Sequence, residues 1–558
     1  MAPQIAHLHT YFLFPFSLDK EVLMGEHRDI WTRHTYWIDG LDEWIAAHQN
    51  RGHSKIVDRL GPWRRAPYTR FDMDSPAYQD MVFFHPFVRR VFFDTADAIG
   101  TGRKEALLRC YAIDVRRDGR KLWFEGSDQK GRDAAVAVTD LRLFLFANGI
   151  GILSVGVEAF DLPAEQALWI NESMRKIYPS SGRQVREGRI PARLAWVLET
   201  KDGREVLAEE TFSRGEMIGC LPPLASTITS LLYFADYSRE EFEPVLDERM
   251  IVNTYVAIDP AGLESNFIAS EAYQVLLSRF LYVDRWGVDF RYDRNFIRPA
   301  LDRQLYTRWS HQGTYYGFTS YSSLTACMGT FDCDEHELRE GFLIHRMFDG
   351  RYYLMSLIVL FYRATLLDFA ERTALVSKQL YLDQGQGRLA VGNIRLANDL
   401  RGDFLHFSNY WYFGELANKD EEVEHFLIQR SEFGIEGMKA EIEEEVEKLN
   451  ASLHGYYQFR NTESINRLAM LSLLFGAGAV LTGFFGMNFA GDFGKLFFEG
   501  SPAAPAVHVV AVWLVTILAF GVLCFGVFLV AANWSDYADI LVPRRWKSGG
   551  SSSLRRNF

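Results

Sequence analysis

Two apolar runs near the C-terminus constrain this chain most. Leu468 to Met487 and Val507 to Ala532 are nearly free of charge, and each is long enough to cross a bilayer, which takes about 20 apolar residues. The stretch between them, Phe489 to Ala506, is short, so the two runs read as a hairpin of membrane helices. The rest of the 558 residues is of ordinary polarity, which predicts a large water-soluble part with the membrane segments at one end. The net charge of -12 argues against a nucleic-acid footprint, which would be basic. The five cysteines form no CxxC pair, as expected for a reducing compartment. Met1 to Asp19 lacks a basic start and an unbroken apolar core, so no signal peptide is read there.

Charge sets the expected topology. Arg460 and Arg467 precede the first run, and Arg544, Arg545, Lys547, Arg555 and Arg556 follow the second. The loop between has one basic residue, Lys495, beside Asp492 and Glu499. The excess of Lys and Arg on one side places both termini in the cytoplasm, and the protein in the plasma membrane as a multi-pass chain.

The organisation follows in chain order. Residues 1–350 are expected to form an enlarged cytosolic α/β or α+β domain. Its first hundred residues carry no assignable motif, with a helix-like stretch at Asp42 to Val57. Strands are predicted at 107–115, 134–139, 141–146, 152–159, 194–199 and 250–258, with helices at 162–178 and 270–281. Residues 284–319 read as irregular. Asp332-Cys333-Asp334-Glu335-His336 collects metal-ligating residue types but is crowded, and reads as the capped start of a helix, Glu335 to Met347. Tyr352 to Leu367 imitates a membrane span, yet Arg363 and Asp368 interrupt it and the clean run is too short, so a buried core helix is expected. Residues 351–418 form a helical hairpin. A stalk helix over 419–466 enters the first span, 467–488. An external loop at 489–506, a second span at 507–534 and a basic cytosolic tail at 535–558 complete the chain. No proline occurs from Lys419 to Met487. A helix of that length must pack on partner helices.

In the first span, Ile465, Leu468, Ser472, Gly476, Ala479 and Gly483 recur at steps of three and four and share one face. Small residues on such a face suit close packing of membrane helices; they equally suit the lining of a pore. The span ends in Gly486-Met487-Asn488. A Gly-Met-Asn tripeptide at the end of the first of two C-terminal spans, after a long acidic helix, resembles the CorA-type divalent cation channels, the two-transmembrane GxN superfamily. The resemblance implies a homopentameric funnel. It implies a selectivity filter at Gly486, Met487 and Asn488, a pore lined by Ser472, Gly476, Ala479 and Gly483, and an apolar gate at Ile465 and Leu468. Mg²⁺ is then the transported ion, with Co²⁺ or Ni²⁺ as passengers and no resident cofactor. The chain departs from the family in its sparse outer acids, Asp492 and Glu499, and in its long soluble part.

Two other readings stay open. One is zinc transport within the same superfamily, although no His/Cys cluster stands near the pore. The other is a membrane-anchored sensor or scaffold that keeps the hairpin without conducting. No P-loop, GxSxG, HExxH or Rossmann fingerprint occurs, so no enzyme is expected.

Overall fold

A fifteen-residue strand, β1 (Gln4–Leu18), forms the middle of a large sheet. The computed structural model describes most of residues 3–19, 41–67, 76–94, 107–212, 221–329 and 344–484, with positions between Val510 and Phe528. Asp332–His336, the motif Gly486-Met487-Asn488, the loop acids Asp492 and Glu499 and the basic tail lie outside the described residues. Two compact units, Met1–Asn450 and Ala451–Phe558, make up the chain.

In the first unit the strands following β1 are β2 (Arg64–Arg65), β3 (Leu108–Ala112), β4 (Lys121–Ser127), β5 (Asp133–Phe146), β6 (Ile150–Pro163), β7 (Arg193–Thr200), β8 (Gly203–Glu210), β9 (Phe242–Pro244), β10 (Ile251–Ile258), β11 (Leu305–Tyr306), β12 (Tyr315–Thr319) and β13 (Ser322–Met328). The sheet order is β11-β12-β13-β10-β1-β6-β5-β4-β7-β8, with β2 and β3 branching from β5 and β9 from β1. Pairing is antiparallel throughout except between β10 and β13. The fold of this unit is thus mixed α/β.

Every residue of β1 from His7 to Phe16 is buried. A strand covered on both faces loses the alternation of a half-exposed strand and reads as one apolar run. That is why residues 4–18 gave no strand signal. One face lies under the helix α1 (Ala164–Met174), where Thr10 donates to Asn171 at 2.9 Å and meets Thr254 Oγ1 at 2.8 Å. The other lies under a helical run that begins at Ile344–Met347, passes through a π-helical turn at Phe348–Tyr352 and continues as α2 (Tyr353–Gly385). Tyr353 donates to Ser154 Oγ at 2.8 Å across that contact. Tyr11 lies so close over β6 that a Cβ at Gly156 would stand 2.8 Å from its ring, so only glycine fits there.

Several local expectations change. The two strands expected at 134–139 and 141–146 are one, β5, which bulges between Val138 and Asp140 where it pairs with β6. Strands β4 and β8 were not foreseen. The stretch 284–319 is not irregular: it holds a helix, Arg294–Gln304, and strands β11 and β12. The apolar helix through Tyr352 to Leu367 is a core element, because 78% of its most apolar stretch is buried. α3 (Val391–His406) folds back on it through Phe404 and an Arg372–Asp403 pair at 2.5 Å. The uninterrupted helix expected from Lys419 is two, α4 (Asp420–Glu432) and α5 (Ile435–Phe484). Gly434, at φ 68°, makes the break, a conformation that costs a side-chain-bearing residue but not glycine.

α4 buries His425 against the rings of Tyr306, Tyr316 and Tyr352, at 4.3, 4.3 and 5.0 Å. Burial, with the charge of Arg308 adding to it, pushes this imidazole down to about 3. The unfolded chain binds a proton at His425 below about pH 6.5, and the folded chain does not until about pH 3. Stability therefore falls with pH inside that window, by about 1.4 kcal/mol per unit from this residue. His425→Phe is expected to remove that slope, as read from denaturant unfolding of both proteins between about pH 6 and 4. Equal slopes would show that His425 does not titrate across unfolding.

Candidate functional site

The second unit is built on helix and on exposed apolar side chains. In α5, Ile465, Leu468 and Phe475 are 65%, 66% and 71% exposed. Further along, Val510, Trp513, Leu514, Ile517, Leu518, Phe520, Phe525 and Phe528 are helical and about half to two-thirds exposed. Single exposed apolar residues are ordinary on soluble proteins, but contiguous ones mark a surface that meets lipid or protein. α5 and α2 are both rich in apolar residues, and context separates them: α2 is wrapped by the sheet, and this stretch of α5 is uncovered.

The expected pore-lining residues Ser472, Gly476, Ala479 and Gly483 all lie on α5 and are exposed. Ile465 and Leu468, the expected gate, lie on the same helix three residues apart. Nothing in one chain brings these six together with a second set, since a pore ring needs neighbouring copies. On the same helix, Arg467 donates to Glu463, and Lys439 pairs with Glu443 at 3.1 Å and Lys448 with Glu444 at 2.6 Å. The acidic run Glu441 to Glu447 is thus partly matched by lysines one turn away, the pattern of a solvated helix face.

A second constellation was missed in the sequence. His7 and His9 stand two residues apart on β1 and so share a face. The register places Phe160 opposite His7, and Glu158 opposite His9, on β6. Tyr255 of β10 lies on the far side of His9. The helix Ile344–Met347 lowers His345 onto this row, just before the π-helical turn. His7 Nε2 stands 3.3 Å from Glu158 Oε1, His345 Nε2 3.7 Å and His9 Nδ1 3.6 Å from the same oxygen. His9 Nδ1 and His345 Nε2 are 2.8 Å apart, with one of them carrying the shared proton. Phe160 stacks on His7 at 4.5 Å, and Tyr255 and Phe348 close the sides. Burial alone would raise the Glu158 carboxyl; the hydrogen bond from His7 and the charges of His9, His7 and His345 outweigh it and hold the group below its ordinary value. The signal available in the sequence was His-Leu-His at strand spacing. Glu158 and His345 lie far away in sequence and gave none.

No family model matches the chain, and no curated protein matches it. Among solved structures the chain is similar to the CorA magnesium transporter from Methanocaldococcus jannaschii. The identity is 12%, over 56% of this chain and 95% of that one, with a TM-score of 0.21. An overlap of that size does not bear on how this chain folds or acts.

The exposed apolar surface after Asn450 has a direct consequence. A fragment of residues 1–450 is expected to stay in the supernatant without detergent, and the full chain to float with lipid vesicles on a density gradient. Flotation of both to the same extent would place membrane affinity in the first unit instead.

Proposed function

We propose that this chain is one subunit of a homo-oligomeric channel that admits Mg²⁺ to the cytoplasm, a pentamer of the CorA kind. The observation that carries the reading is the Gly486-Met487-Asn488 motif at the end of an apolar, uncovered helix, followed by a second apolar run. The similarity in motif and order is to the GxN superfamily; the exposure of Ile465, Leu468 and Phe475 supports a helix that leaves water.

The chemistry of the ion explains the motif. Mg²⁺ gives up its waters reluctantly and usually keeps several of them. The amide oxygen of Asn488 accepts hydrogen bonds from those waters without stripping them. One Asn per subunit makes a neutral ring, which binds weakly enough to release the ion, as conduction requires. Gly486 lets the backbone leave helical geometry at the mouth. Met487 packs, because a thioether prefers soft metals. The small residues Ser472, Gly476, Ala479 and Gly483 leave room for a hydrated ion. Ile465 and Leu468 form an apolar constriction that stops ions by dewetting. Asp492 and Glu499 of the outer loop draw cations toward the entrance.

The test is Mg²⁺ influx into proteoliposomes loaded with a magnesium-sensitive dye. The intact protein is expected to conduct and Asn488→Ala to lose conduction, while Leu468→Ser, which wets the constriction, raises the resting leak several-fold. Absence of any divalent influx through folded, oligomeric protein would overturn the channel reading in favour of a non-conducting membrane anchor. Influx of Zn²⁺ without Mg²⁺ would reassign the ion and keep the pore.

A further inference from the structure

We infer that His7, Glu158 and His345 form an intrasubunit binding site for a divalent transition-metal ion, Zn²⁺ foremost, with His9 beside its fourth position. The ligand atoms of His7, Glu158 and His345 all lie within 4.8 Å of one another. They come from three elements distant in sequence, β1, β6 and the helix Ile344–Met347, so the grouping is a product of the fold and not of local composition. Two imidazoles and one carboxylate are a common zinc ligand set.

The distances fit. Ligands about 2.0–2.1 Å from Zn²⁺ stand about 3.3 Å apart at the corners of a tetrahedron. The separations around Glu158 Oε1 are 3.3, 3.6 and 3.7 Å, to His7, His9 and His345. An ion seated among Glu158 Oε1 and the ring nitrogens of His7 and His345 meets spacings from the carboxylate close to those of a tetrahedron. In the metal-free row the 2.8 Å contact between His9 and His345 holds one proton between the two rings. Metal binding at His345 Nε2 replaces that hydrogen bond: the proton stays on His9 Nδ1, and the neutral His345 ring gives its lone pair to the ion.

The surroundings also fit. The His7 side chain is 2% exposed, and those of Glu158 and His345 are 19% and 18% exposed. One ligand is enclosed, and two border solvent, which leaves an entry path. Phe160, Tyr255 and Phe348 fix the rings from outside. The nitrogen-rich donor set selects against Mg²⁺, which takes oxygen ligands in octahedral geometry. The site is therefore chemically separate from the proposed pore, and it stands whether or not the chain conducts.

The experiment uses the full chain in detergent, stripped with a chelator and returned to excess Mg²⁺. Zn²⁺ is titrated calorimetrically, and Co²⁺ is followed by its visible absorption, which reports coordination by nitrogen and oxygen. One Zn²⁺ per chain is expected in the presence of Mg²⁺, with a visible Co²⁺ band and a raised melting temperature. His345→Ala and the near-isosteric Glu158→Gln are each expected to weaken Zn²⁺ binding by more than about tenfold and to lose the Co²⁺ band. Glu158→Gln keeps the packing of the row, so it reads the ligand role even where His345→Ala disturbs the fold. Absence of a stoichiometric Zn²⁺ site in the intact chain, or full retention of it in Glu158→Gln, would overturn the assignment.

Discussion

The first unit depends on covering β1 from both sides. A strand buried from His7 to Phe16 must have helices on each face, because its apolar side chains point alternately up and down. α1 supplies one cover and the run from Ile344 through α2 the other. The same constraint governs its polar residues. Thr10 faces α1 and is satisfied by Asn171 and Thr254. His7 and His9 face the other way and meet Glu158 and His345. A buried imidazole without such company would cost more than the strand gains from burying it. Whatever ion the cluster takes, its polarity is first a condition of placing two histidines inside the sheet.

Hydropathy finds apolar helices without saying what covers them. Tyr352 to Leu367 passes the composition test for a membrane span, and the interruptions at Arg363 and Asp368, which leave too short a clean run, are the clue against it. Arg363 Nη1 donates to the Ser320 carbonyl at 2.8 Å, and Arg372 crosses to Asp403, so charges along α2 are used inside the unit. Ile465, Leu468 and Phe475 have no such cover in one chain. Charge placement and the shortness of the clean run, and not mean hydropathy, mark residues 352–367 as a buried core helix, and the burial of that helix bears this out.

Legibility elsewhere followed the same physics. Strands with turn punctuation were visible: Ala147-Asn148-Gly149 marks the β5–β6 hairpin, and Gly149 has φ 99°. β1 was invisible, because a doubly covered strand has no period-two contrast. The break at Gly434 was foreseen as a weak point of the long helix but not as its end. One glycine in a polar helix costs only about 1 kcal/mol relative to alanine. Whether the helix bridges it depends on what the flanking turns bury. Phe433 and Ile435 are both buried, and holding both in the core is compatible with ending one helix and starting another. Glu158 and His345 were illegible for a different reason: no local pattern encodes which residues a sheet register brings together.

The two ion chemistries proposed for this chain divide along ligand hardness. In the proposed pore, Asn488 would offer a neutral oxygen to a hydrated ion, a contact suited to brief occupancy. The row of His7, Glu158 and His345 offers nitrogen and a charged oxygen, which bind directly and hold. Mg²⁺, even in excess, does not compete well for imidazole, so neither ion would occupy the other's place for long. Each can then be altered without the other. Glu158→Gln leaves the motif after the first span untouched, and Asn488→Ala leaves the histidine row untouched. A protein in which both changes had the same effect on ion binding would have one site, and the division by hardness would be wrong.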